Sequence, residues 1–267
     1  METELKKIVE TLKTHIHQKP DIAVIAGGGL GGLIDKLEDR VAISFDEAGL
    51  KLLGEDNGSF FAGRLGGKNI IIAYGRLHSY NGYEVQYPVL PVYAFEKLGC
   101  KTLILSCAGG AIKHSIKVGD IVVAADHINL SGKNPLYGTQ FSPYGERFVD
   151  LNNAYSPRLI TLAKQCGKEL GIKVKSGVLV EFPGPTSETA AEVKMSKHLG
   201  GSVLGFHVVK EVIAARYAGM DVFVGTLITN YASAFTQAKI GRNTIDHNRE
   251  TAEEYNSQLF IKLIERI

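Results

Sequence analysis

A chain of 267 residues with 45% apolar content is long enough to bury a large core in one α/β domain. The 30 basic residues exceed the 28 acidic ones by only two, with both signs interspersed, which argues against a nucleic-acid footprint. Cys100, Cys107 and Cys166 lack C-x-x-C spacing, so a disulfide framework or zinc site is not expected, and no apolar run approaches the ~20 residues of a membrane span.

The N-terminal stretch "METELKKIVETLKTHIHQ" alternates charged and apolar residues at helical spacing, predicting a helix over Glu2–His17 rather than a signal peptide. With no leader or membrane span read, a soluble cytoplasmic protein is expected. Short β-branched runs then recur: "DIAVIA", "RVAISF", "NIIIAY", "TLILS", "DIVVAAD", "GVLVEF" and "DVFVGTLIT". Several are continuous enough to be strands buried on both faces. Helical patterns alternate with them over Pro88–Leu98, Pro157–Leu170, Thr189–Leu199, Val208–Ala218 and Arg249–Arg266. Thr189 followed by Glu192 is a capping-box signature. The alternation predicts an α/β fold, a mixed central sheet flanked by helices, in a single domain over residues 1–267.

The stretch "VIAGGGLGGL" places Gly27, Gly29 and Gly32 in the spacing of a dinucleotide fingerprint. Only "LIDKLED" separates Gly32 from Arg40 and the next apolar run, too little chain for the crossover helix that such a fold needs. A backbone cradle for an anion and a plain strand-to-helix turn both stay open. Beyond the run "NIIIA", Arg76, His78 and Tyr80 sit at alternate positions, so an extended backbone sends all three to one side. Arg offers a planar donor fork for phosphate or carboxylate, His a tunable donor, and Tyr a face for a sugar. Three more strand ends carry chemistry: "LSCAGGAI", "EFPGPTSETAAE" with Glu188 near a helix start, and "GTLITNYA", whose Asn230 ends an apolar run and needs partners. Glu211 in "VVKEVIAARYAGM" can hold a neighbouring loop by a buried hydrogen bond, and Cys107 reads as a small buried hydrophobe.

In this order and at similar spacing, "GGGLGGL", "YGRLHSYNGY", "AGGAI", "DHINLSGKNPLYG", "GPTSETAAE", "KEVIAARYAGM" and "TLITN" resemble the trimeric purine nucleoside phosphorylases. The resemblance runs from about Ile22 to the C-terminal helix. It implies a distorted, barrel-like central sheet, a homotrimer, and reversible phosphorolysis of purine nucleosides to base and ribose 1-phosphate in purine salvage. Inorganic phosphate is then the co-substrate, with no metal or organic cofactor. It further implies that Glu188 accepts from the purine ring N–H groups and that Asn230 bonds N7 and the 6-oxo group. On the same grounds Gly28, Arg76, His78, the N–H of Ala108, and His207 hold phosphate, while Ala108 and Gly109 border the base. Tyr80, Phe206 and His247 face the ribose, joined by Phe148 from a neighbouring subunit.

This sequence departs from that pattern at several pocket positions. Gly28 and His207 stand in place of two phosphate serines, Phe206 replaces a methionine, Phe61 a histidine, Ser187 an aromatic, and Lys210 a proline. Two readings follow. In one, His207 donates to phosphate, as neutral imidazole or as imidazolium, and phosphorolysis continues. In the other, His207 and Phe61 crowd or desolvate the anion site, leaving a phosphate-independent nucleoside hydrolase or an inactive purine-binding paralogue. Because Asn230 can donate to a 6-oxo oxygen, inosine and guanosine are expected to outrank adenosine.

Overall fold

In the computed structural model, residues 1–27, 29–138, 146, 148–233 and 242–267 are described. Gly28 and the stretches 139–145 and 234–241 therefore lie outside the described residues, as does residue 147.

The elements follow the apolar periodicity. Helix α1 (Glu2–His15) buries Leu5, Ile8, Val9 and Leu12 at helical spacing and ends at His15, two residues earlier than the pattern predicts. Strand β1 (Ile22–Ala26) is buried along its whole length. After a helix α2 of only five residues (Gly31–Asp35) come β2 (Glu38–Ser44), β3 (Ser59–Leu65) and β4 (Lys68–Tyr74). The chain continues through α3 (Leu90–Leu98), β5 (Thr102–Ala111), β6 (Ile121–Asn129), α4 (Pro157–Leu170) and β7 (Val174–Glu181). The remainder comprises α5 (Ala190–His198), β8 (Val203–Gly205), α6 (Val208–Tyr217), β9 (Asp221–Tyr231) and α7 (Arg242–Arg266). The predicted capping box is present: Thr189 Oγ1 accepts from the Glu192 N–H, and Glu192 reaches back to the Thr189 N–H. Strands β3 and β8 carry no clear apolar run in the sequence and went unpredicted; β8 spans three residues. No helix among the described residues is long and apolar enough to cross a membrane.

The nine strands form one mixed sheet in the order β2-β3-β4-β1-β5-β8-β7-β6-β9. An additional β5–β9 pairing closes β5, β8, β7, β6 and β9 into a barrel, and β1 to β4 extend outward from it. The expected distorted, barrel-like α/β fold is therefore present. Strand β1 is parallel to both β4 and β5, and β5 is parallel to β9, so the carboxyl ends of these four strands lie on one edge. In an open α/β sheet that edge is where ligands bind.

Alternate residues of β1 feed two apolar layers. Ala23 and Ile25 pack with Leu5, Ile8 and Leu12 of α1, with α3 and with α6. Ile22, Val24 and Ala26 pack on the opposite face with Leu33, Leu159, Phe260 and Leu263. Helix α7 seals this second layer: the Phe260 ring meets Phe223 edge-on at 5.9 Å, and its Cζ lies 2.7 Å from where a Cβ on Gly225 would stand. Phe260→Ala should cost about 3–5 kcal/mol by opening a cavity, and Gly225→Ala about 1–3 kcal/mol by overpacking. Urea denaturation of both and of the double variant tests this. The double variant should lose less than the sum, because the new methyl occupies space the ring vacates.

Candidate active site

The loop after β4 turns inward at Gly75, and Arg76 is buried at 6% exposure. Its Nε donates to Glu211 Oε1 at 2.8 Å, its Nη2 to Glu211 Oε2 at 3.0 Å, and its Nη1 to the Ser106 carbonyl at 3.3 Å. The hydrogen bond expected of Glu211 is thus made to the guanidinium of the motif that carries His78. Burial works against the charge on Arg76, but the Glu211 carboxylate outweighs it and holds the guanidinium above its ordinary pKa. Two of its five N–H donors remain beyond these bonds. Gly27 lies directly over this group. A Cβ there would stand 2.2 Å from Arg76 Nη1 and 2.5 Å from the Ser106 carbonyl, so no larger residue fits. The Gly27 N–H itself donates to Ser106 O at 3.1 Å and is not part of an anion cradle. Behind the loop, Asn256 of α7 donates to Gly29 O at 2.8 Å. Gly28, a predicted phosphate residue, is outside the described residues.

His78 and Tyr80 come together as the alternation predicts, although Tyr80 sits in a short 3-10 turn (Ser79–Asn81) instead of an extended strand. Their rings stack at 5.0 Å with a 19° interplanar angle. His207, at the start of α6, meets His78 edge-on at 4.7 Å and Tyr80 at 5.4 Å, and Phe206 lies 5.9 Å from His207. A Cβ on Gly184 would touch Tyr80 Cδ1 at 3.2 Å and Phe206 at 3.3 Å, so the loop after β7 closes against the same aromatic group.

The surroundings of His207 favour the neutral imidazole. Burial, reinforced by Arg76, His78 and Lys210, pushes its pKa well below the usual histidine range. Both causes disfavour a proton on the ring. As neutral imidazole His207 still has one donor and one acceptor, and its buried Nδ1 finds no partner among the described residues. Phe61 does not join this group; it packs edge-on against Tyr74 at 6.4 Å and beneath Arg40.

Two polar contacts escaped the sequence reading. Asp56, whose side chain is 2% exposed, accepts from the His78 backbone N–H through Oδ2 at 2.9 Å and meets His78 Nδ1 through Oδ1 at 2.5 Å. Lys210 is buried against Glu181, Nζ to Oε1 at 2.5 Å, while Glu181 Oε2 accepts the Val209 N–H at the start of α6 at 2.6 Å. Burial pushes the Glu181 carboxyl up and Lys210 opposes that. Asp56 sits in a loop without periodicity, and Glu181 ends an apolar strand, so neither carries a local signal of its distant partner.

The base side of the site is less occupied. In the β5–β9 ladder Ala108 pairs with Leu227 and Gly109 with Ile228, and a bulge then sets Gly110 opposite Asn230. Asn230 is half-buried and engaged locally: Oδ1 accepts from Thr229 Oγ1 at 2.9 Å and Nδ2 donates to Tyr231 O at 3.1 Å. Glu188 is half-buried, with its backbone carbonyl held by Ser233 Oγ at 2.8 Å. Its Oε1 is buried and has no hydrogen-bond partner among the described residues. Burial, and then Glu192, raise its pKa. His247 is exposed on α7, beside Asn248, whose amide donates to Thr229 O at 2.7 Å. Phe148 is 87% exposed. Cys107 is buried, with Sγ 3.3 Å from Thr226 Oγ1 and a thiol pushed up to about 11, which suits a packing role.

These strand ends and the loops after them carry several buried polar atoms without a hydrogen-bond partner among the described residues, Ser79 Oγ, Ser106 Oγ, Glu188 Oε1 and His207 Nδ1. A sequence model of the phosphorylase superfamily matches residues 21–265. Purine nucleoside phosphorylase 1 of Geobacillus stearothermophilus is 35% identical over 99% of this chain and 97% of its own. The purine nucleoside phosphorylase of Bos taurus is 38% identical over 82% of this chain and 78% of its own. A Schistosoma mansoni purine nucleoside phosphorylase solved with inosine superposes with a TM-score of 0.94 at 31% identity, covering 99% of this chain and 96% of that one. The complex with adenosine gives 0.93 at 32%, covering 99% and 97%. The chain belongs to the purine nucleoside phosphorylase family of enzymes.

Glu188 yields a stability test of its role. Its folded pKa lies above the unfolded value, so folding favours the protonated carboxyl and stability falls as pH rises through that window. Glu188→Gln should therefore melt higher than the parent at neutral pH, and the difference should vanish below the ordinary carboxylate range. Thermal melts of both proteins across pH measure it; equal melting at neutral pH would show that the carboxylate is adequately solvated.

Proposed function

We propose that this protein carries out reversible phosphorolysis of purine nucleosides, with a preference for the 6-oxopurines inosine and guanosine. The observations that support it most are the buried Glu188 carboxyl oxygen without a partner among the described residues and the clustering of His78, Tyr80 and His207. A hydrolase that only expels a base gains from the same acceptor, but the two spare N–H donors of Arg76 and the neutral His207 add donors suited to an anion.

In this reading phosphate lies between Arg76, His78, the Ala108 N–H and His207, with Gly28 contributing backbone only. Tyr80, Phe206 and His247 contact ribose, and Phe148 serves a neighbouring subunit of a homotrimer. Ala108 and Gly109 flank the purine, Glu188 accepts from its ring N–H groups, and Asn230 donates to N7 or the 6-oxo oxygen. One phosphate oxygen bonds C1′ as the C1′–N9 bond breaks, and the electron pair passes to the base. Charge spreads over the purine where Asn230 stands, and the sugar passes through an oxocarbenium-like state flanked by the anionic nucleophile. Hydrogen phosphate dianion plus nucleoside gives ribose 1-phosphate dianion plus protonated base, so one proton moves from phosphate to purine overall. No metal or organic cofactor enters. Residues 1–267 act as one domain in the cytoplasm, in purine salvage.

Turnover of inosine and guanosine with and without phosphate tests the reaction. Phosphate-dependent ribose 1-phosphate is expected; free ribose independent of phosphate would establish a hydrolase instead, and purine binding without turnover an inactive paralogue. Adenosine is bound by the Schistosoma relative, so base choice needs its own measurement. Asn230→Asp should move the inosine-to-adenosine kcat/KM ratio towards adenosine by about tenfold or more, since a carboxylate accepts from a 6-amino group and repels a 6-oxo oxygen. An unchanged ratio removes Asn230 from base recognition.

A further inference from the structure

Helix α6 begins beside the cleft, and the residue at its start is not the one that satisfies it. His207 is the N-cap, yet its side chain makes no capping hydrogen bond. A helix leaves its first N–H groups without intrahelical partners, and these need an acceptor where they are buried. The acceptor here comes from another strand. Glu181 ends β7 and is fully buried; its Oε2 takes the Val209 N–H at 2.6 Å, and its Oε1 takes Lys210 Nζ at 2.5 Å. Val209 and Lys210 are the second and third residues of α6. The main chain around Glu181 is itself anchored: its carbonyl accepts from the Leu130 N–H at 2.9 Å, and the Phe182 N–H donates to Gly205 O at 2.9 Å. Burial works against the carboxylate, and Lys210 opposes that.

The consequence falls on His207. An N-cap side chain that served its own helix would turn back to the N–H of Val209 or Lys210. Relieved of that bond, the His207 ring meets His78 edge-on at 4.7 Å and Tyr80 at 5.4 Å, and its buried Nδ1 has no partner among the described residues. We infer that Glu181, paired with Lys210, is a positioning residue that caps α6 from β7 and so leaves the His207 ring to face the incoming phosphate. Its kinetic consequence rests on the phosphorolysis reading, in which His207 meets that anion. Lys210 serves the cap by matching the buried carboxylate, and Glu211, the next residue, is engaged separately by Arg76.

Two double variants separate the cap from the ion pair, since changing Glu181 or Lys210 alone would leave a buried charge without its partner. Glu181→Gln with Lys210→Met removes both charges and keeps an oxygen for the Val209 N–H. Glu181→Met with Lys210→Met removes the charges and the acceptor together. The second pair should lose about 10- to 100-fold in kcat/KM for phosphate relative to the first, with the KM for inosine equal in the two. When His207→Ala is added to both, the difference between them should largely disappear, because the cap acts through that ring. In the parent, the Val209 amide proton should resonate far downfield and exchange slowly, as a short bond to a buried carboxylate requires. Equal phosphate kinetics in the two pairs, a difference that survives His207→Ala, or phosphate and inosine KM rising together would each overturn the proposal. So would an ordinary, fast-exchanging Val209 amide, a measurement that needs no variant to fold. If the parent forms no ribose 1-phosphate, the phosphorolysis reading fails by itself. The Val209 amide then still decides whether Glu181 caps α6.

Discussion

The buried pair between Arg76 and Glu211 is the constraint around which the cleft is organised. It joins the loop after β4 to the first turn of α6, and through Nη1 it reaches the middle of β5 at Ser106. Gly27 must lack a side chain because the guanidinium occupies that space. One cation thereby sets the relative positions of β1, β4, β5 and α6, and with them the places of His78 and His207. Removing either partner alone leaves a buried charge uncompensated, typically costing about 3–5 kcal/mol, so the pair is hard to alter one residue at a time.

The same economy runs through the neighbouring charges. Lys210 is matched by Glu181 and Arg76 by Glu211, and the His78 ring meets Asp56. Burial, reinforced by the cations around it, favours the neutral state of His207. An anion entering here meets directed N–H donors instead of a surplus of positive charge. In a water-poor cleft, fixed dipoles of that kind cost no reorganisation during bond breaking. Lys210 and Glu211 are adjacent in sequence yet paired to different strands' ends, which pins the first turn of α6 from two sides and holds the His207 backbone just before it.

Most of the fold was legible because its signals are local. The continuous burial of β1, the capping box at Thr189 and the amphipathic period of α1 each rest on residues within one element. Strand β3 was missed because "SFFAGRL" alternates only weakly, and β8 because three residues carry no period. In the cleft, the motif residues His78, Tyr80 and His207 were recognisable by type and do come together. What their types could not convey is charge state. The charge state of His207 depends on its burial and then on Arg76, His78 and Lys210, and the partner of His78 Nδ1 is Asp56, 22 residues away in a loop without pattern. Such pairings are properties of the folded topology and leave no trace in spacing.

Glu188 shows why the site is less stable than its surroundings need be. A half-buried carboxyl with one oxygen left without a partner carries a desolvation cost in the absence of substrate. Folding tolerates that cost because the core is extensive, with both faces of β1 sealed by helices. In the proposed reading a purine ring N–H reaching Oε1 supplies the missing bond, so part of the energy withheld from folding becomes available for binding the base. On that reading stability and recognition draw on one carboxylate in opposite directions, and a side chain that relieved the desolvation would also remove the preference for a protonated purine edge.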